Sequence, residues 1–501
     1  MKKAVGGLAI MLALAVGACE LLPERYAVNA PLQQLLLGRG RGAPDAETVE
    51  ARIRAPEGFA VSVWAEGLAN VRFLRFSPSG DLLVTRPRAG RVDLLLADRD
   101  GDGRSDGTEP LLGGLDRPHG LDLHDDWLYV AEHGAVARVH FDPALRRTSG
   151  LLERVVADLP TGGSHWTRTV RFGPDGWMYV TVGSSCNVCI EDDPRRAAMS
   201  RYRPDGSGGE IFATGLRNSV GFDWHPETGA LYATDNGRDL LGDDFPPCEL
   251  NRVERDGFYG WPFANGDRIP DPDLGAGRER EIAASIPPVH GFRAHNAPLG
   301  MSFVRSSSVP EAWRHAALVA LHGSWNRSKK DGYKVVSLHG VGDGVEERDF
   351  LWGFERNGDV IGRPADVAEG PDGAFYVSDD YGGVVYRVAW VGAGASATAG
   401  TAAPTRPRAV GDPLASLDTE RRRAHGERGG VLFAAHACGS CHGEGEPPPG
   451  VVVKALARLG ERYDLEGLEA LLATPTPPMP MSSLSETERR DLAVYLLERH
   501  P

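Results

Sequence analysis

Cys438-Gly439-Ser440-Cys441-His442 sets two thiols and an imidazole at the spacing that attaches haem covalently. In that pattern the thiols add to the haem vinyl groups and the adjacent histidine binds the iron. A second chemical signature lies in Asp98-Arg99-Asp100-Gly101-Asp102-Gly103-Arg104-Ser105-Asp106-Gly107-Thr108-Glu109. Asp98, Asp100, Asp102, Asp106 and Glu109 fall on oxygen-ligand positions of a calcium loop, with Gly103 at its bend. Leu94-Leu95-Leu96 before it is strand-like, so a structural calcium loop without the helices of an EF-hand is expected, against the alternative of a solvated acidic turn. P-loop, H-E-x-x-H and G-x-S-x-G patterns are absent from the sequence, which sets aside the commonest nucleotide-binding, zinc-protease and serine-hydrolase chemistries.

The residues after the haem motif run to Pro477-Pro478-Met479-Pro480 and then to Ser485 with Glu488, a capping box opening a last helix. This resembles the small cytochromes c, which implies His442 and Met479 as the axial iron ligands. Met479 fits the motif better than Met481 because proline follows it directly. At the other end, Met1-Lys2-Lys3, an apolar run and Val16-Gly17-Ala18-Cys19 read as a secretory signal. Its end resembles the bacterial lipobox. Residues 1–18 are then removed, Cys19 carries lipid, and 19–55 tether an exported protein to a membrane, in the periplasm or at the cell surface.

A net charge of -14 argues against nucleic acid as a partner, and the 63 glycines and 36 prolines announce many turns in the 501 residues. The remaining cysteines are Cys186 and Cys189, which can close a short disulfide outside the cytoplasm, and Cys248, which has no evident partner. Residues 392–425 are small, proline-containing and aperiodic, as a linker is, and a compact haem domain is expected over 426–501. Between tether and linker one phrase repeats: Phe76-Ser77-Pro78-Ser79-Gly80-Asp81, Phe172-Gly173-Pro174-Asp175-Gly176-Trp177 and Glu369-Gly370-Pro371-Asp372-Gly373-Ala374. Weaker copies begin near Leu121, Phe222 and Met301. Strand, tight turn, strand at this period predicts an all-β six-bladed propeller over 56–391, followed by the small all-α cytochrome c domain.

His165 precedes the Gly173-Pro174-Asp175 turn, and Leu216-Arg217-Asn218 and Glu249-Leu250-Asn251 to Tyr259-Gly260-Trp261-Pro262 follow in order. This ordered set resembles the PQQ-dependent sugar dehydrogenases. The sorbosone-type branch is nearest, from Arg117-Pro118-His119-Gly120-Leu121, Cys186-Asn187-Val188-Cys189 and His322-Gly323-Ser324-Trp325-Asn326-Arg327. The resemblance implies His165 as general base, Arg217 and Asn218 beside the quinone oxygens, and Arg363 among the contacts to a tricarboxylate cofactor. A second cofactor arginine of the glucose branch falls on Ala365 here, and Arg327 and Lys334 are candidates to replace it. The aspartate that orients the base falls on Ser184, which leaves the base less basic or steered by another group. His295 and His119 match pocket positions, although ordinary packing explains His119 and Lys334 equally well. A calcium beside the cofactor is implied near Gly237-Arg238.

The expected protein is a membrane-anchored quinohaemoprotein. PQQ oxidises a sugar or sugar-derived alcohol or aldehyde, and haem c passes the electrons to a downstream cytochrome, quinone or oxidase. The alternatives are a calcium-dependent lactonase-type hydrolase and a non-catalytic docking propeller carrying a shuttle cytochrome.

Overall fold

The computed structural model describes residues 24–31, 40–392 apart from 343, 412–415, 417–442 and, beyond these, 456, 459–461, 463–473 and 484–500. Two compact units divide the chain at residue 402. Cys19, Met479, Met481 and most of the linker lie outside the described residues, as does the side chain of Cys441.

The first unit is a six-bladed β-propeller, each blade built on four antiparallel strands. The blades open with Leu74–Phe76, Leu121–His124, Arg168–Phe172, Ser219–Trp224, Pro298–Phe303 and Pro364–Glu369, numbered 1 to 6 in that order. These innermost strands contact one another in a closed ring around the central channel. Phe59–Ala65 pairs with Val384–Trp390, so the first strand of the propeller becomes the outer strand of blade 6 and seals the circle. Second strands such as Met178–Val182 and Ala317–Leu321 are buried along their whole length, because a blade packs against a neighbour on both faces.

The repeated phrase is the turn between first and second strands. In blade 3 the Gly176 N–H donates to the Gly173 carbonyl at 2.9 Å, and Asp175 accepts from the Trp177 N–H. Gly176 holds φ 75°, a conformation glycine adopts without strain. Tyr179 donates its hydroxyl to Asp175, and Tyr376 does the same for Asp372 in blade 6. Inner strands touch closely enough that a Cβ on Gly221 would lie 2.2 Å from the Leu299 carbonyl oxygen. Across alternate blade junctions Asp122, Asp223 and Asp366 each accept an N–H from the next inner strand, at Phe172, Phe303 and Leu74.

The second unit is helical: Thr419–Ala435, Gly439–His442, Leu465–Ala473 and Glu486–Arg499. Its first helix begins at Thr419, ahead of the expected boundary at 426, because Asp418 caps it by accepting the Arg421 N–H. Leu414 and Leu417 already belong to its core. The capping box of Ser485 and Glu488 forms as the spacing predicts. First and last helices cross at Gly429, where a Cβ would sit 2.1 Å from the Asp491 carbonyl oxygen and 2.6 Å from Tyr495 Cβ.

Candidate active site

Each innermost strand is preceded by a polar residue at the same end of the channel: Arg72, His119, His165, Arg217 with Asn218, His295 with Asn296, and Arg363. The fold thus gathers six residues proposed from sequence: His119, His165, Arg217, Asn218, His295 and Arg363. Arg72 and Asn296 were not suspected.

His165 Nδ1 lies 2.8 Å from the Ser184 carbonyl and 2.9 Å from its hydroxyl. A carbonyl only accepts, and the Ser184 hydroxyl gives its own proton to the Cys186 carbonyl at 2.7 Å. The imidazole proton therefore sits on Nδ1, and the Nε2 lone pair is the basic one. Burial, and then the Arg217 guanidinium, depress this histidine to about 4. It is a neutral base at ordinary pH, held by a serine where a carboxylate would have made it stronger.

Arg217 spends all five of its N–H groups on the protein. Nε donates to the Asn187 carbonyl, Nη1 to the Asn236 and Gly237 carbonyls, and Nη2 to the Asn187 amide oxygen and to Asp239. It contributes positive charge and braces two loops rather than offering a free N–H. The Asn236 and Gly237 carbonyls thus already accept from a guanidinium, and Arg238 is paired with Asp271 and Asp273, so a calcium beside Gly237-Arg238 would draw chiefly on the Asp235 and Glu249 carboxylates that line the same small cavity.

Asp239, which no motif singled out, is the carboxylate of this cluster. It takes the Arg217 Nη2 proton at 3.3 Å and the Trp325 indole proton at 3.0 Å, and its Oδ1 lies 3.7 Å from His295 Nδ1. Burial pushes its carboxyl up, but the His295 contact and the Arg217 charge hold it below the usual range. His295 itself has φ 62° and is fixed through Nε2 to the Gly242 carbonyl.

Five buried polar atoms on the ring lack a hydrogen-bond partner among the described residues: Arg72 Nε, His119 Nε2, Asn218 Oδ1, His295 Nδ1 and Asn296 Oδ1. Leaving so many polar groups unpaired is costly, so their concentration at one channel mouth marks a site for a polar guest. A cavity of about 720 Å³ lies at the opposite mouth among Arg75, Arg171, Arg305, Asp223 and Asp366 and holds none of these groups.

Two proposed replacements for the missing arginine go elsewhere. Lys334 stands on the third strand of blade 5 and pairs with Asp349 of the outer strand. Arg327 is spent on the Asp243, Ala294 and Lys329 carbonyls and on Asp244.

In the acidic loop, Asp98, Asp100 and Asp106 bring carboxylate oxygens within 4.8 Å of one another. Burial and mutual repulsion raise Asp100 and Asp106. Asp102 and Glu109 are outside that group: Asp102 caps the Arg104 N–H, and Glu109 lies in the strand Thr108–Leu112. A separate cavity of about 20 Å³, room for one water or one ion, is lined by Asp235 and Glu249, which face each other across paired strands. Burial pushes Glu249 up to about 7, and burial and Glu249 together raise Asp235 against the opposing charge of Arg217.

Cys186 and Cys189 are joined as a disulfide in the loop that carries Ser184 and Asn187. Cys248 is buried in blade 4, its thiol pushed up to about 11 by burial. In the second unit the His442 N–H donates to the Cys438 carbonyl, which sets the two residues one helical turn apart.

This geometry defines a class: a six-bladed propeller with a neutral base and a ring of unpaired polar groups at one channel mouth. The chain belongs to the TrAA12-like family, which matches residues 53–246 and 278–390. An uncharacterized protein of Borreliella burgdorferi is 31% identical over 289 residues, 55% of this chain and 76% of that protein. The pyrroloquinoline quinone-dependent pyranose dehydrogenase of Coprinopsis cinerea is 24% identical over 346 residues, 59% of this chain, which spans 46% of that protein's length. The holo form of its PQQ domain superposes with a TM-score of 0.60 at 22% identity, over 70% of this chain and 99% of that one. A calcium structure of the Trichoderma reesei family AA12 enzyme gives 0.59 at 21% identity, over 68% and 97%. The propeller is thus similar in fold to those of PQQ-dependent sugar dehydrogenases.

Proposed function

We propose that this chain is an exported, lipid-anchored quinohaemoprotein. Its propeller oxidises a sugar or sugar-derived alcohol or aldehyde with PQQ, and its C-terminal unit carries covalent haem c that passes electrons on. The observation that carries the reading is the ring of unpaired polar atoms around a histidine whose free lone pair is on Nε2. These groups fit PQQ, which brings carboxylates, quinone oxygens and a ring N–H to a mouth rich in guanidinium, imidazole and amide. Asn218, Asn296, His119 and Arg363 are the residues that would hold it. When bound, PQQ supplies the two-electron acceptor for the substrate carbon.

The chain's own part is proton and charge management. His165 Nε2 accepts the substrate hydroxyl proton, while Nδ1 stays fixed on Ser184. Asp239 offsets the imidazolium that results and the positive field of Arg217. Two places can take calcium, the Asp98-Asp100-Asp106 group and the Asp235-Glu249 cavity, in keeping with the calcium structure of the Trichoderma relative.

The C-terminal half of the reading is supported by Cys438 and His442 one turn apart and by two helices crossing at Gly429. The test is reconstitution: apoprotein with PQQ and a panel of sugars, with haem absorbance as readout. Substrate- and PQQ-dependent haem reduction is expected, and hydrolysis of lactones without it would overturn the proposal.

A further inference from the structure

The position where a second cofactor arginine is expected is Ala365, fully buried in the core between blades, while Arg327 is bonded to the Asp243, Ala294 and Lys329 carbonyls and Lys334 is paired with Asp349 of an outer strand. Arg72 is the better placed. It stands two residues ahead of the blade 1 inner strand, on the same ring as His119 and Arg363, and only 7% of its surface is exposed. Its backbone is clasped between blades, with its N–H on the Thr85 carbonyl and its carbonyl accepting the Ser378 hydroxyl at 2.6 Å.

The guanidinium is held at one end only. Nη1 donates to Asp380 Oδ2 at 2.7 Å, and the other oxygen of Asp380 takes the His322 Nε2 proton at 2.9 Å. Both Asp380 and His322 are at least nine-tenths buried. His322 is tied in turn to Arg363, whose Nε donates to the His322 carbonyl and whose Nη2 donates to Gly323. Two guanidinium groups thus converge on one loop, with the Asp380 carboxylate between them. The opposite edge of Arg72 meets no acceptor among the described residues. Its Nε–H is buried without a partner, and Nη2 makes no hydrogen bond to any described residue. Nε–H and Nη2–H form the side-on fork of a guanidinium, two parallel donors that match the two oxygens of a carboxylate. His119 Nε2, also unpaired, belongs to the next blade of the same ring.

We propose that Arg72 is the second cofactor arginine of this chain: its free Nε–H and Nη2–H fork takes a carboxylate of PQQ, with Asp380 and His322 holding the guanidinium from behind. The clamp has moved from blade 6, where Ala365 stands, to the adjoining blade 1. This inference rests on the quinone reading above, and its test separates the two.

The experiment is equilibrium dialysis of PQQ, and separately of its uncharged trimethyl ester, against the full-length haem-loaded protein stripped of PQQ. The variants are Arg72→Ala, Arg72→Lys, the double change Arg72→Ala with Asp380→Asn, and Lys334→Ala. Charge-assisted bidentate bonds predict that Arg72→Ala weakens PQQ binding about 10- to 100-fold, with partial recovery in Arg72→Lys, which keeps charge but loses the fork. Lys334→Ala should bind as wild type. The ester should bind wild type and Arg72→Ala within about 3-fold of each other, because it offers no carboxylate to lose. If Arg72→Ala unfolds because Asp380 is left unpaired, the double variant removes that charge and carries the same expectation. Unchanged PQQ affinity in a folded variant, or an equal loss for acid and ester, overturns the role of Arg72. Failure of wild type to bind PQQ at all overturns the quinone reading itself.

Discussion

His165 is a base by virtue of what surrounds its other nitrogen, and that has a pH signature. With burial and Arg217 depressing it to about 4, the imidazole is already neutral through the whole mildly acidic range. Turnover should therefore rise with pH through about 4 and stay flat to neutrality. Asp239→Asn keeps an acceptor for the Trp325 indole but removes the nearby negative charge, so the imidazolium becomes harder to form. We expect the acid limb of kcat/KM to move to lower pH and the plateau to fall, since a weaker base accepts the proton less readily. An acid limb that stays put in Asp239→Asn would mean the carboxylate does not govern the base. His165, Arg217 and Asn218 entered through an order of motifs that resembles the PQQ-dependent sugar dehydrogenases. Asp239 and Arg72 stand in no such motif: each acquires its meaning from partners on other blades, His295 and Trp325 for the one and Asp380 for the other, that no local spacing reveals. Arg327 and Lys334 misled for the same reason, since a cation near the right motif gives no hint of the carbonyls or carboxylate that will claim it.

At the scale of elements, the Pro-Asp-Gly turn was readable because a left-handed glycine and an aspartate three residues before the next strand are local requirements. The loops over the channel were not. The loop bearing Ser184 and Asn187 is closed by Cys186–Cys189, and Asn187 supplies two of the acceptors for Arg217. So short a disulfide loop contributes only about 2 kcal/mol to stability by chain entropy. Cys186→Ser with Cys189→Ser should therefore cost a few degrees of melting temperature and a larger share of turnover. A proportionate loss of both would show that the bridge serves the fold alone. Calcium is decided between two other elements. Chelation should lower the melting temperature of calcium-loaded protein by mass action. Asp98→Ala with Asp100→Ala and, separately, Glu249→Gln divide that effect, the element whose variant ignores chelator being the one that binds. Glu249→Gln has a sign of its own. A carboxyl raised to about 7 in the folded state is destabilising once pH exceeds its ordinary unfolded value, so in metal-free protein this variant should stabilise the propeller at neutral pH and change nothing at pH 4.

For the molecule as a whole, the proposed economy is that substrate chemistry and onward electron transfer belong to different units of one chain, so each can be broken without the other. His165→Ala should retain PQQ, because the unpaired contacts lie on other ring residues, yet substrate-driven haem reduction should fall by about 10²- to 10⁴-fold, the usual worth of a general base. Reduction of the same haem by dithionite should be untouched. Met479→Ala is the converse lesion. It should abolish the methionine-to-iron charge-transfer band and lower the haem potential, because a soft thioether favours ferrous iron. PQQ binding and substrate-driven reduction of an added artificial acceptor should remain at wild-type rates. Full sugar-driven haem reduction in His165→Ala would remove the base from the mechanism. If Met481→Ala erased the charge-transfer band and Met479→Ala did not, the proline that directly follows Met479 would have pointed to the wrong thioether.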